Sequence, residues 1–210
     1  MPLVKKIKSE AGVIGIWELT EPVNKLFIDT ILSDAETEQF NKFKVERRKK
    51  EYLATRLLLT ALLKTKAEIQ YTERGKPFLK NKTTNISISH SNDFVTVFLS
   101  EKKIGIDVEQ TNRNIDKIST RFLHKKELEF ISGLPNPQDA KILFWSAKEA
   151  IFKCSYSHSI QFNEQIFIFP FEPRTSGEFS GTLQTKGNKT DYRLNYLFIK
   201  NNVVVYCVEL

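Results

Sequence analysis

An apolar run at residues 13–18, with Gly12 before it and Glu21-Pro22 after it, predicts a first short strand. Ser33 followed three residues later by Glu36 is a capping-box signature, so a helix is expected to start there. Past Phe40 and Phe43, residues 46–64 carry Tyr52, Leu53, Leu57, Leu58, Leu59, Leu62 and Leu63 and no Gly or Pro. That stretch predicts a long, largely buried helix with basic residues in its opening turns. Gly75-Lys76-Pro77 marks a turn. Three short strands are expected next, at 86–90, 95–99 and 103–109, and their spacing reads as a meander.

The second half repeats this order. Helical signals run over 118–131, stop at Gly133-Leu134-Pro135 and resume over 138–156. Strands are expected at 166–169, 177–184, 192–199 and 203–209. The fold class is therefore α+β: two similar α+β halves, each with antiparallel strands and a long helix, divided as 1–103 and 104–210.

Charge changes the picture. Of the 210 residues, 32 are Lys or Arg and 25 Asp or Glu, a net charge of +7, and the first 103 residues hold +6 of it. Lys42, Lys44, Arg47, Arg48, Lys49 and Lys50 concentrate it locally. Such a field attracts a polyanion, whether nucleic acid, a nucleotide-like ligand or an acidic protein, although a solvated helix face has the same composition. Two cysteines, Cys154 and Cys207, are too few for a disulfide framework or a four-ligand zinc site, and point to a reducing compartment. No apolar run approaches the length of a membrane span. A cytoplasmic monomer that does not engage membranes is expected.

Three segments depart from a pure packing pattern. In Gly105-Ile106-Asp107-Val108-Glu109, strand alternation puts Asp107 and Glu109 on one face and Ile106 and Val108 on the other. Two carboxylates on one face repel each other, and a hard divalent cation such as Mg²⁺ relieves both the repulsion and the desolvation. An exposed edge strand with both acids in water fits the same pattern. In 144–153, Trp145, Glu149, Phe152 and Lys153 share a helix flank, with Glu149 and Lys153 spaced as an i,i+4 pair. Glu149 there suits a third metal ligand or a base, and Lys153 a cation for a leaving phosphate; a surface salt bridge beside a buried aromatic has the same spacing. In 87–91, His90 stands among the hydroxyls of Ser87, Ser89 and Ser91, downstream of Lys76, a composition suited to cradling phosphate. A strand-end histidine with a structural partner reads alike. His124 and His158 sit in no comparable setting and are given no role.

Gly-Lys-Pro at 75–77, Ser-Ile-Ser-His at 87–90, Gly-Ile-Asp-Val-Glu at 105–109 and Trp-Ser-Ala-Lys-Glu-Ala-Ile-Phe-Lys at 145–153 occur here in order. The set resembles the 4′-phosphopantetheinyl transferase superfamily, and in length and twofold grammar its longer class, similar to the surfactin-synthetase activator. The resemblance implies an intramolecular pseudo-dimer with the active site at the seam between halves. It also implies transfer of the phosphopantetheine arm of coenzyme A to a serine of an apo acyl or peptidyl carrier protein, releasing adenosine 3′,5′-bisphosphate. Asp107, Glu109 and Glu149 would hold Mg²⁺. Lys153 would stabilise the departing phosphate, and Glu149 or a water on the ion would take the serine proton. Lys76, Ser89 and His90 would meet the phosphates of coenzyme A, and Arg47 its nucleotide 3′-phosphate, with Arg48, Lys50 and Arg56 as rivals in the same run. The chain departs from the family in having Gln110 directly after Glu109, where a basic residue is common. An alternative of a different class is a basic nucleic-acid-binding module using the helix at 42–56.

Overall fold

A computed structural model describes residues 3–157 and 159–210; His158 lies outside the described residues. The chain divides into two compact units, one ending at Glu101 and the other beginning at Lys102. The division falls in the turn 101–103, which precedes the strand that opens the second unit. Both units are α+β with antiparallel sheets.

In the first unit, strands β1 (Leu3–Ser9), β2 (Gly12–Glu18), β5 (Asn85–His90) and β6 (Phe94–Ser100) form one sheet in the order β1-β2-β6-β5. Helices α1 (Val23–Asp29), α2 (Asp34–Asn41) and α3 (Glu46–Leu63) connect it to a hairpin of β3 (Ile69–Tyr71) and β4 (Pro77–Leu79). The Ser33–Glu36 capping box forms as expected at the start of α2. Helix α3 packs on β2 and β6 and buries Leu53, Leu58, Leu59 and Leu62 with Trp17, Val95, Val97 and Leu99. At the tip of the β3–β4 hairpin Gly75 takes φ 79°, and Thr72 exchanges backbone hydrogen bonds with Lys76 and Gly75.

The second unit builds a five-stranded sheet in the order β7-β11-β10-β9-β8. Its strands are β7 (Ile104–Gln110), β8 (Ile166–Ile168), β9 (Ser176–Thr185), β10 (Asn188–Ile199) and β11 (Asn202–Glu209). The expected meander is therefore corrected: β5 and β6 pair, but β7 pairs with β11, Asp107 standing opposite Val205. The chain leaves its first sheet at the polar 100–103 turn, so closeness in sequence does not become pairing in space.

Helices α4 (Ser119–Phe122), α5 (Lys125–Ser132), α6 (Pro137–Ser155) and α7 (Phe162–Gln165) complete this unit. The single helix expected at 118–131 is broken at Leu123, because the His124 ring accepts from the Lys126 amide at the start of α5 and the His124 amide donates to the Glu127 carboxylate in return. Helix α6 opens on Asn136 as cap and Pro137 at its first position, and lies across β7 and β11.

Candidate active site

Helix α6 meets β7 along one face of the strand. A Cβ on Gly105 would stand 1.9 Å from the Ala150 carbonyl oxygen, so only glycine admits the helix this close. The next two residues on that face are Asp107 and Glu109. Asp107 is 4% exposed. Its Oδ2 accepts from Ser146 Oγ at 2.8 Å and its Oδ1 from Lys153 Nζ at 2.7 Å. Lys153 also donates to the Ile106 carbonyl at 3.1 Å. The cation that helical spacing pairs with Glu149 is thus bonded to the strand's aspartate. Strand β7 is the edge of its sheet, but Asp107 is buried there and Glu109 only partly exposed, so the two do not stand in open water.

Glu109 Oε1 accepts from Trp145 Nε1 at 2.9 Å and is also held by Arg113, whose guanidinium lies 5.5 Å from the Trp145 ring centre. Arg113, four residues on, is thus a basic partner of Glu109. Burial and the Asp107 carboxylate push the Glu109 carboxyl upward, against the pull of Trp145, Arg113 and Lys153.

Glu149 is the least satisfied of the three. Burial, with the Asp107 charge next and Glu109 adding, raises its carboxyl to about 7, while Lys153 and Arg113 oppose the shift. It borders a cleft of about 650 Å³ walled by Trp145, Phe152, Phe162 and Phe122, with Arg121 at its edge. Among the described residues no group of three or more His, Cys, Asp or Glu side chains is drawn together as a finished metal cage. Asp107 and Glu109 are tied to cations and to Ser146 and Trp145 instead. The donor chemistry, oxygen atoms alone, is of the kind a hard divalent ion takes, and two of the three carboxyls are raised by burial and by a neighbouring acid.

Lys148, between Ser146 and Glu149 in sequence, faces away from these acids. Its fully buried ammonium donates to the carbonyls of Phe162 and Ile166 and pairs with Glu127 at 2.7 Å. Glu127 in turn accepts from the backbone of His124 and Ile168. This network joins α5, α6 and the α7–β8 segment, and so fixes the Phe162 wall of the cleft.

The first unit carries a second cleft, of about 280 Å³, lined by Arg48, Glu51, Arg56, Tyr71, Gly75 and His90 among others. Arg48 and Arg47 both bond Glu51, and Arg48 reaches His90. Arg56 is buried, paired with Glu36 at 2.9 Å and stacked over Tyr52 at 3.3 Å, which makes it a core cation. Lys42 and Lys50 pair with Glu38 and Glu46. The basic run is therefore laced with carboxylates and not a bare cationic stripe. Ser89 is buried on β5 and its carbonyl accepts from Thr96, while Lys76 stands at the hairpin tip.

The model of the 4′-phosphopantetheinyl transferase superfamily matches residues 103–207, and the 4′-phosphopantetheinyl transferase N-terminal model matches residues 17–102. The chain belongs to the 4′-phosphopantetheinyl transferase superfamily. It is similar to the 4′-phosphopantetheinyl transferase HetI of Nostoc sp., at 26% identity over 180 residues, 76% of each chain. It is also similar to the 4′-phosphopantetheinyl transferase gsp of Aneurinibacillus migulanus, at 30% identity over 83 residues, 39% of this chain and 35% of that one. A third match is to fatty acid synthase subunit alpha of Candida parapsilosis, at 33% identity over 100 residues, 45% of this chain and 5% of that one.

The protein is thus a 4′-phosphopantetheinyl transferase. Asp107, Glu109, Glu149 and Lys153 come together on α6 and β7 of the transferase, and Arg47, Arg48 and His90 around Glu51. The sequence reading missed Gly105, Ser146, Arg113 and Glu51. Gly105 could have been found from its place two residues before Asp107, on the same strand face. No helix of the transferase is long and apolar enough to cross a membrane, among the described residues. Both of its cysteines are buried and free.

Proposed function

We propose that this transferase moves the 4′-phosphopantetheine arm of coenzyme A, with Mg²⁺, to a serine of an apo acyl or peptidyl carrier protein and releases adenosine 3′,5′-bisphosphate. The observation that carries the reading is the gathering of Asp107, Glu109 and Glu149 beside Lys153, where α6 lies on β7. Those three carboxylates would hold the ion. Bound there, Mg²⁺ would neutralise the pyrophosphate of coenzyme A and favour attack at phosphorus.

The chain's own residues do the rest. The carrier serine oxygen attacks the phosphorus that bears the pantetheine arm, and the bond from that phosphorus to the bridging oxygen breaks. Glu149, whose carboxyl burial and the neighbouring acids raise in the metal-free chain, would accept the serine proton. Lys153 places positive charge where the departing phosphate gains negative charge. Arg47, Arg48, Lys76, Ser89 and His90 serve the remaining phosphates of coenzyme A. The walls of the cleft beside Glu149, largely aromatic, would offer an apolar surface beside the reacting centre.

The pairing of the two halves as an intramolecular pseudo-dimer, acting as a monomer in the cytoplasm, belongs to the same proposal. The net charge of +7 would speed encounter with an acidic carrier protein. The test is incubation with coenzyme A, Mg²⁺ and a panel of apo carrier proteins, read by intact mass. Gain of one phosphopantetheine on a carrier serine is expected; no gain on any carrier contradicts the proposal.

A further inference from the structure

The second turn of α3 holds a carboxylate to which the reaction gives no task. Glu51 is 3% exposed although it lies within a run of cations. Its Oε1 accepts from Arg47 Nε at 2.8 Å and its Oε2 from Arg48 Nη1 at 2.8 Å. Oε1 also lies 3.5 Å from His90 Nδ1, while Arg48 Nη1 lies 3.1 Å from His90 Nε2. A guanidinium only donates, so Nε2 is the acceptor. The neutral imidazole then carries its proton on Nδ1, facing Glu51.

Pairs at i,i+3 and i,i+4 on an open helix surface contribute a few tenths of a kcal/mol and leave both partners mobile. This one differs in its asymmetry. The acid is sunk beneath the surface, whereas the Arg47 and Arg48 side chains are 51% and 55% exposed. A desolvated carboxylate must keep its cations, so it holds their inner ends and leaves their outer faces to solvent. Arg48 spends Nη1 on both Glu51 and His90, and its Nε and Nη2 make no further bond among the described residues. Fixing two arginines before a ligand arrives removes rotamer entropy that binding would otherwise cost. A guanidinium fork with an imidazole beside it, at the edge of a 280 Å³ cleft, suits a phosphate dianion.

We infer that Glu51 is a positioning residue: it does not touch the ligand but fixes Arg47, Arg48 and the His90 tautomer to receive a phosphate of the nucleotide. This rests on the reading of coenzyme A as the substrate. It also assigns Arg48, rather than Arg47 alone, to the phosphate-facing side of the cleft.

The test is calorimetric binding of adenosine 3′,5′-bisphosphate to the full chain, alongside KM and kcat for coenzyme A. Glu51→Gln keeps the shape and removes the charge. It should weaken bisphosphate binding about tenfold and raise KM in parallel, with kcat nearly unchanged. In an Arg48→Gln background the same substitution should cost clearly less than in wild type, because the part of its effect that passes through Arg48 is already lost. Should Glu51→Gln fail to fold, Glu51→Asp withdraws the carboxylate by one methylene and should lose affinity in the same direction. Undiminished binding in these variants, or losses that add fully to that of Arg48→Gln, overturns the inference while leaving the transferase reading intact. A wild-type chain that does not bind the bisphosphate overturns both.

Discussion

Gly105 and Ala150 are in backbone contact: the Ala150 carbonyl oxygen occupies the space a side chain at Gly105 would need, 1.9 Å from the missing Cβ. That approach lets Ser146 and Lys153 of α6 reach Asp107 of β7. Gly105→Ala should push the helix off the strand, lower stability by about 2 kcal/mol or more through overpacking, and reduce transfer more than tenfold. Chemical denaturation and a transfer assay on the same preparation check both. An alanine variant with native stability and rate contradicts this account of the site's assembly.

Lys148 and Lys153 sit five residues apart on α6 and should behave differently. Lys148→Ala strands Glu127 without its cation in the core, at a cost of about 3–5 kcal/mol. The double variant Lys148→Met/Glu127→Gln should recover much of that loss, since neither charge is left alone. Denaturant midpoints of the three chains provide the measurement, and a Lys148→Ala chain as stable as wild type contradicts the prediction.

Lys153 is partly exposed and bonded to Asp107. Lys153→Ala leaves the buried Asp107 carboxylate with Ser146 but without its cation, so it should lose some stability, though less than Lys148→Ala. In the folded chain the KM for coenzyme A should stay within about threefold while kcat falls about a hundredfold. An unchanged kcat removes its proposed part in the reaction.

Periodicity reached only part of this site: the strand period of two put Asp107 and Glu109 on one face and the helix period put Glu149 and Lys153 on one flank, while the resemblance alone joined strand to helix. The partners could not be read. Ser146 and Lys148 lie two residues apart in one helix, yet one bonds the acids and the other the core, and a linear pattern does not say which flank meets the strand. Glu51 was hidden by the cations around it. The first strand, Leu3–Ser9, escaped because its exposed lysines mask the alternation, a composition suited to an edge strand. Helix α1 has no capping side chain and only seven residues to announce it.

Glu149 gives the metal-free protein a pH signature. Its carboxyl rises from 4.5 to about 7 on folding, so between those values the folded state binds more protons than the unfolded one. Stability should then fall as pH rises from 4.5 to 7 and level off above. Glu149→Gln should remove this slope and be more stable than wild type at pH 8, by about 2 kcal/mol after allowance for partial exposure, while losing transfer. Thermal melts of both chains in chelator across pH 5–8 check it; parallel curves contradict the assignment.

The most direct measurement is the intact mass of an apo carrier protein after incubation with coenzyme A and either wild type or Asp107→Ala, each with Mg²⁺ and with chelator. Acceptor modified by wild type with Mg²⁺ alone, and left at its apo mass by a folded Asp107→Ala chain, is the predicted result. Modification by Asp107→Ala at the wild-type rate, or by wild type in chelator, would contradict the account.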